Sequence, residues 1–329
     1  MKSACITGIS GQTGSYLAEQ LLEDGFKVYG LVRRSSTFGT ERINHIYDNP
    51  NLELVYGDLA DYSSLLSFIG DAKPDYFYNL GAMSHVRVSF DIPEYTFDVT
   101  GTGVLRCLEA IRKSSPKTKF LQASSTELFG STPPPHNETA PFHPRSPYGV
   151  AKLAGYWATV NYREAYGLFA VNSISTNHES ARRGETFVTR KITRAATRIR
   201  LGLQEKLALG NLESKRDWVH ASDVTKAMRL IMDLNWADDF VVGSGEMHSV
   251  QEFLELVFSK LGLNWKEFVE FDPRFLRPSE VDALCADPSK LKKITGWEPK
   301  ISFEKMVEDM IDHDMKLAEK EKLIEKNMP

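Results

Sequence analysis

The stretch Ala4-Cys5-Ile6-Thr7-Gly8-Ile9-Ser10-Gly11-Gln12-Thr13-Gly14 runs from an apolar segment into three glycines at intervals of three, and a helical pattern, Ser15–Glu23, follows at once. A short apolar run closed by glycine reads as a buried strand, and the spacing after it is that of an amphipathic helix. In such a unit one glycine makes the tight turn, a second lets the backbone approach a pyrophosphate, and the third lets the helix pack closely on the strand. The helix start then offers free N–H groups and a partial positive charge to the phosphates. Gly8, Ser10, Gly11, Gln12, Thr13 and Gly14 are therefore candidate dinucleotide ligands.

Outward from this unit the pattern repeats. Lys27–Val32, Leu52–Tyr56, Tyr76–Leu80, Lys119–Ala123 and Leu168–Ile174 read as strands, and Tyr62–Ile69, Val104–Lys113 and Pro147–Tyr166 as helices. Strand–helix alternation at this interval means right-handed crossovers, hence an α/β, Rossmann-type, doubly wound parallel sheet. Beyond about Asn177 the rhythm breaks into a polar loop (Arg182-Arg183-Gly184-Glu185), a basic helix (Val188–Leu201), helical spacing over Ser222–Leu234 and a short strand, Phe240-Val241-Val242. Helices at Val250–Leu261 and Phe303–Leu317 then flank a proline-punctuated loop, Phe271–Ser279. The expected organisation is a nucleotide-binding domain over 1–175, to which 217–245 returns, and a smaller, mostly C-terminal α/β substrate lobe over 176–329. Lys316–Lys326 reads as a solvated helix end.

Composition narrows the functional classes. With 42% hydrophobic and 26% charged residues the 329-residue chain is neither disordered nor collagen-like. A net charge of −4 without a basic stripe gives no footprint for nucleic acid. Cys5, Cys107 and Cys285 are odd in number and far apart, which argues against a disulfide framework or a metal site. No apolar run reaches about 18 residues, so no membrane span is expected. The first residues turn too soon for a signal peptide, and a soluble protein of the reducing cytoplasm is expected.

The end of the second strand discriminates between nicotinamide cofactors. NAD sites place an acidic residue there for the ribose hydroxyl, but this chain has Arg33-Arg34-Ser35-Ser36. Guanidinium groups and hydroxyls suit a 2′-phosphate, so NADP is favoured over NAD. Asp58-Leu59 follows the third strand, where a carboxylate can accept from the adenine amino group. Leu80-Gly81-Ala82-Met83-Ser84 follows the fourth, at the midpoint of the cofactor.

Tyr148-Gly149-Val150-Ala151-Lys152 carries the chemistry. A spacing of four puts Tyr148 and Lys152 on one helical face. A phenol with a pKa near 10 becomes a base when an ammonium and an oxidised nicotinamide ring favour the phenolate. Ser124-Ser125-Thr126-Glu127 lies just past the fifth strand. One hydroxyl, Ser125, suffices for oxidation and reduction. Glu127 adds a group that can remove a proton beside a ketone and then help hydroxide leave as water.

These residues resemble the extended short-chain dehydrogenases acting on nucleotide sugars. Within them, Gly81-Ala82-Met83-Ser84-His85-Val86, Pro144-Arg145-Ser146-Pro147-Tyr148, Val160–Gly167, the run Asn177–Ser180 through Arg183–Thr193, Lys215-Arg216-Asp217-Trp218 and Phe275–Val281 resemble the GDP-mannose 4,6-dehydratases over nearly the whole chain. The resemblance implies C4 oxidation by NADP, loss of water across C5 and C6, and hydride return to C6. It makes Ser125, Glu127, Tyr148 and Lys152 catalytic, with Ser125 standing where many members have threonine. It gives Tyr95, His178 and Arg183 to the cofactor beside the segments above. To the GDP-sugar it gives Ser84, Asn177, Val188, Lys191, Gly210, Arg216, Arg277 and Glu280. It also implies a homo-oligomer, dimer or tetramer; in a tetramer the Arg33–Ser36 loop would reach a neighbour's cofactor.

Departures from the family pattern are Thr13 for an aspartate, Val219 for glycine, Val224 for tyrosine, and Ser175-Thr176 for an apolar pair. All but Thr13 are expected near the sugar and nucleotide pocket, which leaves another GDP-sugar, such as a GDP-heptose, open as substrate. A nucleotide-sugar 4-epimerase or reductase is the rival activity; neither needs Glu127.

Overall fold

The computed structural model describes Met1–Asn327. Its largest sheet comprises β1 (Ser3–Thr7), β2 (Lys27–Val32), β3 (Leu52–Tyr56), β4 (Tyr76–Asn79), β5 (Lys119–Ser125), β6 (Ala170–Ser175) and β7 (Asp239–Val242). The strand order is β7-β6-β5-β4-β1-β2-β3 and every neighbouring pair is parallel. Side chains of β4, β6 and β7 are buried throughout, as expected of strands covered on both faces. The order reverses between β1 and β4, and a crevice opens at such a switch point beyond the strand C-termini.

The helices that cover the sheet come from different parts of the chain. On one face α1 (Gln12–Glu23) lies beside a later helix, Ala221–Asp233, around Ile9, Leu17, Leu21, Val224 and Met228. On the other, α2 (Tyr62–Ala72) and α3 (Gly103–Ser114) bury Leu65, Phe68, Val104, Leu108 and Ile111 against Phe77 and Phe120. The next helix, α4 (Pro147–Tyr166), is bounded by local rules. Ser146 caps it by accepting from Gly149 N at 3.0 Å, Pro147 opens it, and Gly167 at φ +68° ends it.

A further apolar cluster lies beyond the sheet. There α5 (Val188–Leu201) meets the helices Val250–Lys260 and Phe303–Asn327 around Ile192, Phe253, Met306 and Met310. Small sheets complete this part: Leu207–Leu209 with Val269–Phe271, Lys215–Arg216 between His248–Ser249 and Ala283–Leu284, and Asn177–Glu179 with Trp218–His220. The helix Ala221–Asp233 is α6, Val250–Lys260 is α7 and Phe303–Asn327 is α8. The segment carrying α6 and β7 thus returns to the large sheet.

Lys316–Lys326 continues α8 and is not wholly solvated. Ala318 is buried, and Lys322 Nζ donates to the Leu201 carbonyl at 2.7 Å. The rest of the stretch is mostly exposed, as expected of a solvated helix end, and Lys322 is the point at which it is tied to α5.

Candidate active site

The glycine turn is shaped by contacts that only glycine tolerates. Gly8 has φ +71°, and a Cβ there would stand 3.0 Å from Gly81 N and Cα. At Gly14 a Cβ would stand 2.2 Å from the Gly8 carbonyl oxygen. Gly11 precedes α1 and no side chain caps the helix, so its first N–H groups are left for an anion. Gly81 N donates to Thr7 Oγ1 at 3.0 Å, which holds the loop after β4 against the end of β1.

His178 closes the turn from the opposite side. Thr13 Oγ1 lies 2.8 Å from His178 Nε2, Gln12 Nε2 donates to the His178 carbonyl at 2.8 Å, and Ser180 Oγ donates to Gln12 Oε1 at 2.8 Å. Burial, with Arg183 nearby, pushes the His178 imidazole down to about 4. The ring is neutral, donates from Nδ1 to the Thr176 carbonyl at 2.9 Å, and accepts the Thr13 proton. Thr13, a departure from the family pattern, fixes a side chain from the other half of the cleft.

One cavity of about 1280 Å³ gathers every residue assigned from sequence except Arg34, Ser35 and Ser36. Arg34 and Ser35 line an adjoining cavity with Arg33, Asp58, Asp61 and Ser64. Ser36 lines neither and is exposed. Arg33 belongs to both cavities and donates from Nη1 to the Tyr95 hydroxyl at 3.0 Å.

At the centre stand Tyr148, in the first turn of α4, and Lys152, one turn on. Lys152 is buried, its ammonium donates to the Ala123 carbonyl and lies 5.8 Å from the Tyr148 ring centroid. Burial pushes it down to about 8. Burial pushes the Tyr148 phenol up to about 12; the Ser125 hydroxyl bonded to it and the charge of Arg183 pull the other way, and Glu127 adds to the rise. Burial thus outweighs the protein's own charges at the phenol, so the phenolate expected from sequence rests on the oxidised nicotinamide ring together with the Lys152 ammonium.

Beneath the pair runs a buried hydrogen-bonded chain. Thr7 Oγ1 donates to Asn79 Oδ1 at 2.7 Å, Asn79 Nδ2 to Gln122 Oε1 at 2.7 Å, and Gln122 Nε2 to the Ala123 carbonyl at 3.0 Å. The chain ends on the acceptor of Lys152. Its sequence signal is a polar residue inside an apolar strand, Asn79 in β4 and Gln122 in β5.

Glu127 is 5% exposed. Its backbone N–H donates to Ser125 Oγ at 3.2 Å, Oε1 lies 3.7 Å from Arg277 Nη1, and Oε2 has no hydrogen-bond partner among the described residues. Beyond it Arg277 and Arg216 share Glu280 at 3.5 and 3.7 Å. Lys191 stands with its ammonium 3.3 Å from the centroid of the Phe275 ring. Burial pushes both Arg216 and Lys191 down from their usual values. Val188 opens α5, whose N-terminus no side chain caps.

Two departures fall elsewhere than expected. Val219 and Val224 do not line the cavity and belong to the core cluster beneath α1 and α6. Along Trp218–His220 side chains alternate, so Trp218 faces the cavity and Val219 the core. Ser175 and Thr176 do line it. Phe275 and His85, which the sequence reading placed within family segments without a role, also line the cavity, the latter packed 5.2 Å from the Phe187 ring.

A glycine cradle at the switch point of a parallel sheet, with a buried Tyr–Lys pair on the same crevice, defines the scaffold of the extended short-chain dehydrogenases and reductases. The chain belongs to the GDP-mannose 4,6-dehydratase family, whose model matches residues 5–310. It is 57% identical to GDP-mannose 4,6 dehydratase 2 of Arabidopsis thaliana, covering 98% of this chain and 89% of the relative. It is 49% identical to the human GDP-mannose 4,6 dehydratase over 95% of this chain and 91% of that one. Among solved structures, the UDP-glucose 4-epimerase of Thermus thermophilus in complex with NAD superposes with a TM-score of 0.83 at 26% identity, covering 95% of this chain and 98% of that one.

Proposed function

We propose that this dehydratase acts on GDP-mannose with NADP and yields the 4-keto-6-deoxy sugar. Residues 1–175 with 217–245 hold the dinucleotide and 176–329 the GDP-sugar; Met328 and Pro329 lie outside the described residues. The cradle fits such a cofactor: glycines where a Cβ would strike backbone, an uncapped helix start, and Arg33, Arg34 and Ser35 around an adjoining cavity suited to a 2′-phosphate. A bound oxidised nicotinamide would supply positive charge that favours the phenolate and a reversible acceptor for the hydride that moves from C4 to C6.

Tyr148 then takes the C4 hydroxyl proton, with Ser125 holding the same oxygen. Lys152 stays fixed on the Ala123 carbonyl and favours the phenolate. Once C4 is a ketone, Glu127 removes the acidified C5 proton and delivers a proton to the departing C6 hydroxyl. Lys191, Arg216 and the open N-terminus of α5 supply a diphosphate site, and Asn177, Gly210, Arg277 and Glu280 complete the nucleotide side. The observation that carries this reading is Glu127, a buried carboxylate with one unpartnered oxygen beside Ser125 and Tyr148. A 4-epimerase or a reductase has no use for it.

Exposed apolar side chains on the adjacent helices α3 and α4, Leu105, Val150 and Trp157, support assembly as a homodimer or homotetramer. No helix among the described residues is long and apolar enough to cross a membrane. The cytoplasmic setting proposed for the chain rests on the sugar-nucleotide chemistry alone. The deciding experiment is mass spectrometry of GDP-mannose after incubation with the chain and catalytic NADP. Loss of one water without accumulation of reduced cofactor is expected. An unchanged mass turns the assignment toward another GDP-sugar or toward epimerisation.

A further inference from the structure

Between the two halves of the cleft runs the irregular segment 181–187, which carries Arg183. The charge of Arg183 acts on both Tyr148 and His178. Its Nε lies 3.1 Å from the buried Glu179, and its guanidinium sits 3.7 Å from the centre of the Phe187 ring. What fixes the backbone beneath that side chain is a pair of anchors, one from each half of the molecule.

From the nucleotide side, Arg182 lies over the Tyr16 ring at 4.1 Å and donates to Ser15 Oγ at 3.1 Å, while Arg42 donates to the Arg182 carbonyl at 2.7 Å. From the other side, Arg190 of α5 donates through Nη1 to the carbonyls of Ala181 at 2.6 Å and Arg183 at 2.9 Å. Its Nε and Nη2 grip Asp314 of α8 at 2.7 Å each, and Thr193 Oγ1 adds a bond to Asp314 at 2.6 Å. Arg190 and Asp314 are 4% and 1% exposed. A buried ion pair withstands its desolvation only when its remaining protons and lone pairs are satisfied, and here two main-chain carbonyls of the segment do so. The planar guanidinium bonds both sides at once; an ammonium reaches one or the other.

We propose that Arg190, gripped by Asp314, is a positioning residue that sets Arg183 in the cleft. Through it α8 governs dinucleotide affinity, although no described residue of α8 lines the cavity. The consequence for affinity rests on the dinucleotide site proposed above.

Arg190→Lys and Asp314→Asn, each checked for cooperative melting, test it through three measurements: hydrogen exchange of 181–187 in the free chain, NADP titration, and a double-mutant cycle with Arg183→Gln. Exchange over 181–187 is expected to accelerate, and NADP affinity to fall about tenfold, with most of that loss vanishing once Arg183 is already Gln. Unchanged exchange overturns the inference, as do equal losses in both backgrounds. A wild-type chain that binds no NADP refutes the dinucleotide site and this consequence together. Tight wild-type binding with unaltered Arg190→Lys affinity refutes the positioning role alone.

Discussion

One oxygen of Glu127 leans toward Arg277 while the other has no hydrogen-bond partner among the described residues, and a carboxylate so placed is costly to bury unless a ligand completes it. Glu127→Gln removes proton transfer and keeps the shape, so GDP-mannose and NADP titrations should be unchanged while turnover falls about 10²–10⁴-fold; undiminished turnover refutes its role. Lys152 bears a related cost. Its folded pKa of about 8 lies below the usual 10.5, so the unfolded chain binds more protons and stability declines as pH falls from 10.5 to 8, remaining low at pH 7. Lys152→Met should therefore be inactive yet better folded relative to wild type at pH 7 than at pH 10, by about 2–3 kcal/mol of differential stability. Paired urea melts at the two pH values decide it, and an equal difference at both would show that the buried ammonium costs nothing.

At the scale of elements, what sequence revealed was what neighbours along the chain determine. Gly8, Gly11 and Gly14 share one turn, and Tyr148 and Lys152 share one face of α4, whose boundaries Ser146, Pro147 and Gly167 set locally. Arg190 and Asp314 are 124 positions apart, and Arg216 meets Glu280 only because Lys215–Arg216 pairs with Ala283–Leu284. No periodicity announces such pairings. The expectation that Val219 would border the pocket failed for the complementary reason, since the face of a three-residue strand depends on the sheet it joins. The loop after β2 reads as a candidate anion site because its charges are consecutive. Arg33→Ala should weaken NADP about tenfold or more and leave NAD nearly untouched, as loss of a charge-assisted contact to a phosphate predicts. Parallel titrations with the two dinucleotides check it, and equal losses remove the 2′-phosphate from the account.

For the whole molecule, the telling feature is the path of the chain through the large sheet. It lays down six strands by Ser175, departs, and adds β7 only at Asp239–Val242, beside β6. During synthesis a ribosome must therefore release more than sixty further residues before β6 gains its outer neighbour. Until then β6 is an open template for a foreign strand, and its fully buried side chains are bare of the α6 cover. A fragment ending at residue 176 should be recovered mainly as aggregate, whereas one carried through residue 245 gains the missing edge and should be more soluble; equal solubility of the two would refute this. The nascent protein thus passes through an interval in which its large sheet is written but not yet closed, and its yield in a cell depends on how quickly translation crosses that gap.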